Sequence, residues 1–218
     1  MRKRSSKKMK KAFIFDLDGV ICFTDKYHYS AWKSLADKLN IPFDEKVNDR
    51  LRGVSRMASL EIILEKSTVE YTQEQKEAFA TEKNEKYRTL LNNMSPSDIS
   101  DDVRDTLVGL KNKGFKLAIG SSSKNTPLIL EKTDTAGYFD AVADGNSITH
   151  SKPNPEVFLK AAELLNMNPD ECYVVEDAEA GIDAGLSGGF TTIGIGPASV
   201  YEKTDYPVKK ISDILSLI

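Results

Sequence analysis

Asp16 and Asp18 stand two residues apart, where the short apolar run of residues 12–15 gives way to Leu17 and Gly19. Three further groups of chemically capable residues follow. Gly120 is succeeded by Ser121, Ser122, Ser123, Lys124 and Asn125, Lys152 precedes Pro153, and the run 173–175 leads into Glu176 and Asp177. Carboxylates from two different strands suit a hard divalent cation such as Mg²⁺, which takes one or two carboxylates plus water and phosphate oxygens. Beside such a cation an aspartate is a competent nucleophile toward phosphorus, forming an aspartyl phosphate. Its own charge repels the phosphate, so the cation and a lysine such as Lys152 are needed to offset that repulsion. A hydroxyl such as that of Ser121 donates to a phosphate oxygen. A second acid two residues on, carried by the turn after the strand, can move the proton of the attacking or leaving hydroxyl. Taken singly, each group has a plainer reading: Asp18 as a turn residue, the serines as a helix N-cap, Lys152 as a solvated lysine, Glu176-Asp177 as a helix start. Taken together, the plainer readings require four independent coincidences, in order, at strand ends.

The elements that must position these groups follow from the pattern. Residues 11–16, 115–119, 171–175 and 191–195 are short apolar runs that read as buried parallel strands. Residues 101–113, 155–165 and 178–186 read as helices between them, and Gly114 stands where a glycine ends a helix. Strand alternating with helix predicts an α/β, doubly wound parallel-sheet (Rossmann-like) core, whose ligands bind at the carboxyl ends of the strands. Residues 24–94 show only helical periodicity, at Ala31, Trp32, Leu35, Ala36 and Leu39, at Leu60, Ile63 and Leu64, and from Phe79 to Leu91. They read as an inserted helical-bundle cap. Ser95-Pro96-Ser97 marks the return, so residues 12–23 and 95–218 form the catalytic core.

Composition narrows the classes. The 218 residues are 40% hydrophobic and 29% charged, an ordinary globular balance without a run of the ~18 apolar residues that a membrane span needs. The net charge of −3 hides an asymmetry: residues 1–11 hold seven of the 30 basic residues, leaving 23 bases against 33 acids and a net of −10. An acidic body behind a basic, disordered tail argues against nucleic acid as a partner. Cys22 and Cys172 lack metal-ligand spacing, and no apolar signal run follows the basic start. Both thiols read as core-filling in a reduced, cytoplasmic setting.

The motif FDLDGV at residues 15–20, Ser121, Lys152-Pro153 and Glu176-Asp177 together resemble the four motifs of the haloacid dehalogenase superfamily, over nearly the whole chain after the tail. The segment Arg52-Gly53-Val54-Ser55-Arg56, with Ser59, resembles the cap signature of its hexose-phosphate mutases, and Ser123-Lys124-Asn125 fits the same branch. The resemblance implies Asp16 as nucleophile and Asp18 as general acid/base. It implies Asp16, the Asp18 carbonyl, Glu176 and Asp177 as ligands of Mg²⁺, and Ser121 and Lys152 as holders of the transferring phosphoryl group. Arg56, Ser123, Lys124 and Asn125 would grip the second phosphate. Arg52, Gly53, Val54, Ser55 and Ser59 would meet the sugar, with Thr24 at the hinge and His28, Trp32 and Lys83 on the cap. His28 also has a reading as an interfacial histidine, and Trp32 as core. Arg52 stands where a lysine is common, and Phe23 where an acid is usual.

The implied activity interconverts β-glucose 1-phosphate and glucose 6-phosphate through an aspartyl phosphate and glucose 1,6-bisphosphate, in a monomer whose partners are small sugar phosphates. Two alternatives stand beside it: a Mg²⁺-dependent sugar-phosphate phosphatase, and a non-catalytic sugar-phosphate binder. The binder would lack a nucleophile or a metal ligand.

Overall fold

A computed structural model describes residues 9–51 and 54–218. Six strands, β1 (Ala12–Phe15), β2 (Lys116–Gly120), β3 (Ala141–Ala143), β4 (Cys172–Glu176), β5 (Thr191–Gly194) and β6 (Tyr206–Pro207), form one sheet in the order β3-β2-β1-β4-β5-β6, with every pairing parallel. Successive side chains of a strand point to opposite faces. Phe13 and Phe15 of β1 accordingly join one cluster with Val103, Leu107, Leu110, Ile129 and Leu130. Ala12 and Ile14 join another with Val157, Phe158, Ala161, Ala162 and Leu165. The first cluster is supplied by α5 (Asp101–Asn112) and α6 (Thr126–Lys132), the second by α7 (Glu156–Leu165) with Ala184 of α8 (Glu179–Ser187). The core is therefore doubly wound, as the strand and helix pattern predicts.

Between β1 and α5 the chain forms α1 (Asp25–Lys38), α2 (Glu45–Asp49), α3 (Arg56–Leu64) and α4 (Gln73–Leu91), with no strand of the sheet among the described residues. These helices bury their own cluster of Trp32, Leu35, Ala36, Ile41, Phe43, Val47, Leu60, Ile63 and Ala80. Thr72 caps α4 through a reciprocal pair of bonds with Gln75, and Ser55 caps α3 by accepting from the Ala58 N–H at 3.3 Å. Gly114 adopts φ +84° just past α5, which only glycine adopts freely, and the Phe115 N–H returns to the Leu110 carbonyl at 3.1 Å.

Four elements have no counterpart in the sequence pattern. β3 and β6 hold three and two residues, and α2 and α6 five and seven, too few for a period to register. The basic segment also ends earlier than its charge suggests. Lys10 donates to the Cys172 carbonyl at 2.9 Å and Lys11 to Glu171 at 2.7 Å, because the main chain entering β1 already lies against the start of β4. Cys22 and Cys172 are buried free thiols. Among the described residues no helix is long and apolar enough to cross a membrane.

Candidate active site

The parallel register sets the sheet end of the site. Phe15 pairs with Ile119 of β2 and Val175 of β4, so the next residues, Asp16, Gly120 and Glu176, arrive level at one edge. This is the point where the strand order reverses about β1, the place where open α/β sheets bind ligands. Lys152, only 5% exposed, donates to Asp16 Oδ1 and, at 2.5 Å, to Glu176 Oε1. A solvated surface lysine is thereby excluded. Glu176 Oε2 accepts from the N–H groups of Asp177 and Ala178 at 2.9 and 3.0 Å. Burial pushes the Asp16 carboxyl well above the usual range; the Lys152 charge opposes this, and Glu176 and Asp177 add to it. Burial works against the Lys152 charge, but Asp16 and Glu176 outweigh it and hold the lysine protonated above its ordinary range. Gly19 has φ +86°, and a Cβ there would collide with the Asp177 carboxylate, so the turn after β1 admits Asp177 only because it carries no side chain.

Asp18 accepts from the Thr24 hydroxyl, and burial raises its pKa to about 6 despite that bond. Ser121 is buried, its N–H donating to the Ala143 carbonyl at 3.1 Å and its Oγ accepting from the Ser123 N–H at 3.2 Å. Ser123 Oγ in turn accepts from the Asn125 N–H at 3.2 Å. The serine run thus shapes a loop. Asn125 occupies the N-cap position of α6 and makes no side-chain cap bond. Lys124 is exposed at the cavity wall.

The helical end is held together differently. Thr24 is buried and accepts from the Tyr87 hydroxyl at 3.0 Å. Lys83 Nζ lies 2.9 Å from His28 Nδ1, 4.6 Å above the Trp32 ring and 4.7 Å above the Tyr87 ring. His28 and Tyr87 stack with centroids 4.0 Å apart. Burial, then the nearby Arg56 charge, lowers the Lys83 pKa to about 7, while Asp18 opposes the shift. Burial, Lys83 and Arg56 hold His28 well below its usual range. Trp32 is both core, at 2% exposure, and cavity wall. Arg56 opens α3, and burial lowers its pKa; Val54, Ser55, Arg56 and Ser59 all line the cavity. Arg52 and Gly53 lie outside the described residues.

One cavity of about 690 Å³ is walled by Asp16, Asp18, Ser121, Lys124, Glu176 and Asp177 on the sheet side and by His28, Trp32, Arg56 and Lys83 on the helical side. Lys152 and Thr24 are buried behind this wall, bonded to Asp16 and Asp18. Tyr87, Asn84 and Arg88 have no place in the motif reading. Arg88 donates to Asn125 Oδ1 at 3.1 Å, and the Asn125 amide donates to Asn84 Oδ1 at 2.9 Å. The only trace of them in the sequence is helical spacing: Tyr87 lies four residues after Lys83, and Asn84 four before Arg88.

The oxygen donors of Asp16, Asp18, Glu176 and Asp177 fit Mg²⁺ in chemistry. Among the described residues no three His, Cys, Asp or Glu side chains are arranged as a ready-made metal cage. Lys152 engages one oxygen each of Asp16 and Glu176, and main-chain N–H groups take the other Glu176 oxygen.

A doubly wound sheet with an acidic pair behind its first strand, a buried lysine and a helical segment over the strand ends is the architecture of one enzyme class. The chain belongs to the haloacid dehalogenase-like hydrolase family, whose model matches residues 10–189. Members of this superfamily generally use Mg²⁺. Within the family, the chain is 40% identical over 206 residues to the β-phosphoglucomutase of Bacillus subtilis, covering 94% of this chain and 91% of that one. The crystal structure of the β-phosphoglucomutase from Clostridium difficile superposes with a TM-score of 0.88 at 39% identity, covering 94% and 93% of the two chains. A phosphorylated-carbohydrates phosphatase of Thermotoga maritima is 30% identical over 185 residues, covering 84% of this chain and 83% of that one.

Proposed function

We propose that the chain interconverts β-D-glucose 1-phosphate and glucose 6-phosphate through a phosphorylated Asp16 and a glucose 1,6-bisphosphate intermediate, with the helices of residues 24–94 acting as a cap. One observation carries the reading. A single cavity has phosphoryl-transfer groups at the sheet end and a guanidinium, that of Arg56, at the helical end. A bisphosphate needs both ends held at once, and Arg offers the planar, bidentate grip that suits the non-reacting phosphate.

In this reading Asp16 Oδ attacks the phosphorus of the bisphosphate. The bond from phosphorus to the sugar oxygen breaks, and protonated Asp18 gives its proton to that oxygen. When the C1 phosphate is the one taken, glucose 6-phosphate leaves and β-glucose 1-phosphate enters with its 6-hydroxyl toward the phosphorylated Asp16. Asp18 takes that proton, the phosphoryl group leaves Asp16 for the 6-oxygen, and the regenerated bisphosphate turns around. Ser121 donates to the transferring phosphoryl oxygens, and Lys152 balances their charge. Mg²⁺, held by Asp16, Glu176, Asp177 and the Asp18 carbonyl, would supply further neutralisation of the phosphoryl charge. Thr24 keeps Asp18 oriented toward the reacting oxygen.

Incubation with β-glucose 1-phosphate, Mg²⁺ and a catalytic amount of the bisphosphate should yield glucose 6-phosphate with little inorganic phosphate. Phosphate as the main product would instead support a sugar-phosphate phosphatase, like the Thermotoga relative.

A further inference from the structure

Asn125 has its main chain in the Ser121–Asn125 loop and its side chain in the hands of the cap. Its N–H is tied to Ser123 Oγ at 3.2 Å, while its carboxamide accepts from Arg88 and donates to Asn84, both on α4. Arg88 can only donate, so it forces the amide oxygen toward itself and turns the NH₂ group toward Asn84. Asn125 is 5% exposed. If α4 swung away, both ends of that amide would lose their partners at once. These two bonds join the loop assigned to phosphate binding directly to the helix that carries Lys83 and Tyr87.

We propose that Arg88 and Asn84 are positioning residues which, through Asn125, latch the cap against the phosphate-binding loop and keep water from the phosphorylated Asp16. The proposal rests on the mutase reading. With the latch loosened, a water oxygen bonds to phosphorus, the bond from phosphorus to Asp16 breaks, and one water proton passes to Asp18. Inorganic phosphate leaves and the enzyme needs repriming. The latch therefore governs how turnover divides between isomerisation and hydrolysis, a quantity that loss of stability alone does not move.

The test measures phosphate released per glucose 6-phosphate formed, from β-glucose 1-phosphate with Mg²⁺ and the bisphosphate, for the wild type, Arg88→Ala, Asn84→Ala, Asn125→Ala and the Arg88→Ala/Asn125→Ala pair. Arg88 is exposed and alanine is a strong helix former, so Arg88→Ala should fold, which a melting curve checks. The ratio should rise about tenfold in Arg88→Ala, a size set by the loss of a charge-assisted hydrogen bond. The paired variant should be no worse than Asn125→Ala, since partners in one network are not additive. Arg88→Lys, which keeps a charged donor without the planar fork, should recover part of the effect. A wild-type mutase whose ratio Arg88→Ala leaves unchanged, or an additive pair, overturns the latch alone. A wild type that releases phosphate as its main product overturns the mutase reading on which the latch depends.

Discussion

Lys152 and Lys83 are buried to nearly the same degree, at 5% and 3% exposure, and they sit at opposite ends of one site. Lys152 touches Asp16 and Glu176, and those carboxylates hold its proton more firmly than water would. Lys83 faces an imidazole and two aromatic rings with Arg56 nearby, and its pKa falls to about 7. Burial disfavours both ammonium groups; partner charge decides the outcome. The sheet end is thus a fixed array of charges suited to a reacting phosphoryl group. The helical end combines the Arg56 guanidinium with a weakened lysine, a histidine and aromatic rings, suited to gripping a distant phosphate and enclosing a sugar. On the proposed reading, covalent chemistry falls to the strand ends and choice of substrate to the helices.

The sharpest way to break that division is Asp16→Asn. It keeps the size of the side chain while removing the proposed nucleophile, so turnover should fall below detection with the melting curve still cooperative. A near-normal rate would move the nucleophile elsewhere. Asp18→Asn should cost roughly 10²–10⁴ in rate, the usual worth of a positioned acid/base. An unchanged rate in a steady-state assay would assign the proton transfer to another group.

Arg56→Ala probes the other end. Formation of glucose 6-phosphate should fall about 100-fold, while phosphate release from a small monophosphate, which needs only the sheet end, should change by less than about threefold. Equal losses in both reactions would dissolve the comparison. The smallest effect is one of pH. Lys83 is charged below about pH 7 and loses its proton as pH rises through that value. KM for the sugar phosphate should therefore climb above pH 7 in the wild type, and Lys83→Met should flatten that inflection. A wild-type KM that is level from pH 6 to 8 would remove Lys83 from substrate binding.

The features legible along the chain are those written in short-range order. Apolar runs of four or five residues that end in Asp16, Gly120 and Glu176 specify parallel strands with polar groups at their ends, because a strand buried on both faces must be apolar throughout. The turn glycine Gly114 and the helical periodicity around Trp32 and Leu35 are local in the same sense. The bonds those polar groups make with one another depend on packing. The four motifs together lead to the expectation that Lys152 joins Asp16 and Glu176, 136 and 24 residues away, but the direct bonds it makes to both carboxylates follow from packing. Nothing near Asn125 foretells that α4 takes both ends of its amide. The short elements β3 and α6 likewise exist because neighbours already in place complete them. The physical reason is common to all of these: periodicity and turn chemistry act over a few residues, whereas burial, pairing of charges and the resulting pKa values depend on partners brought together by packing.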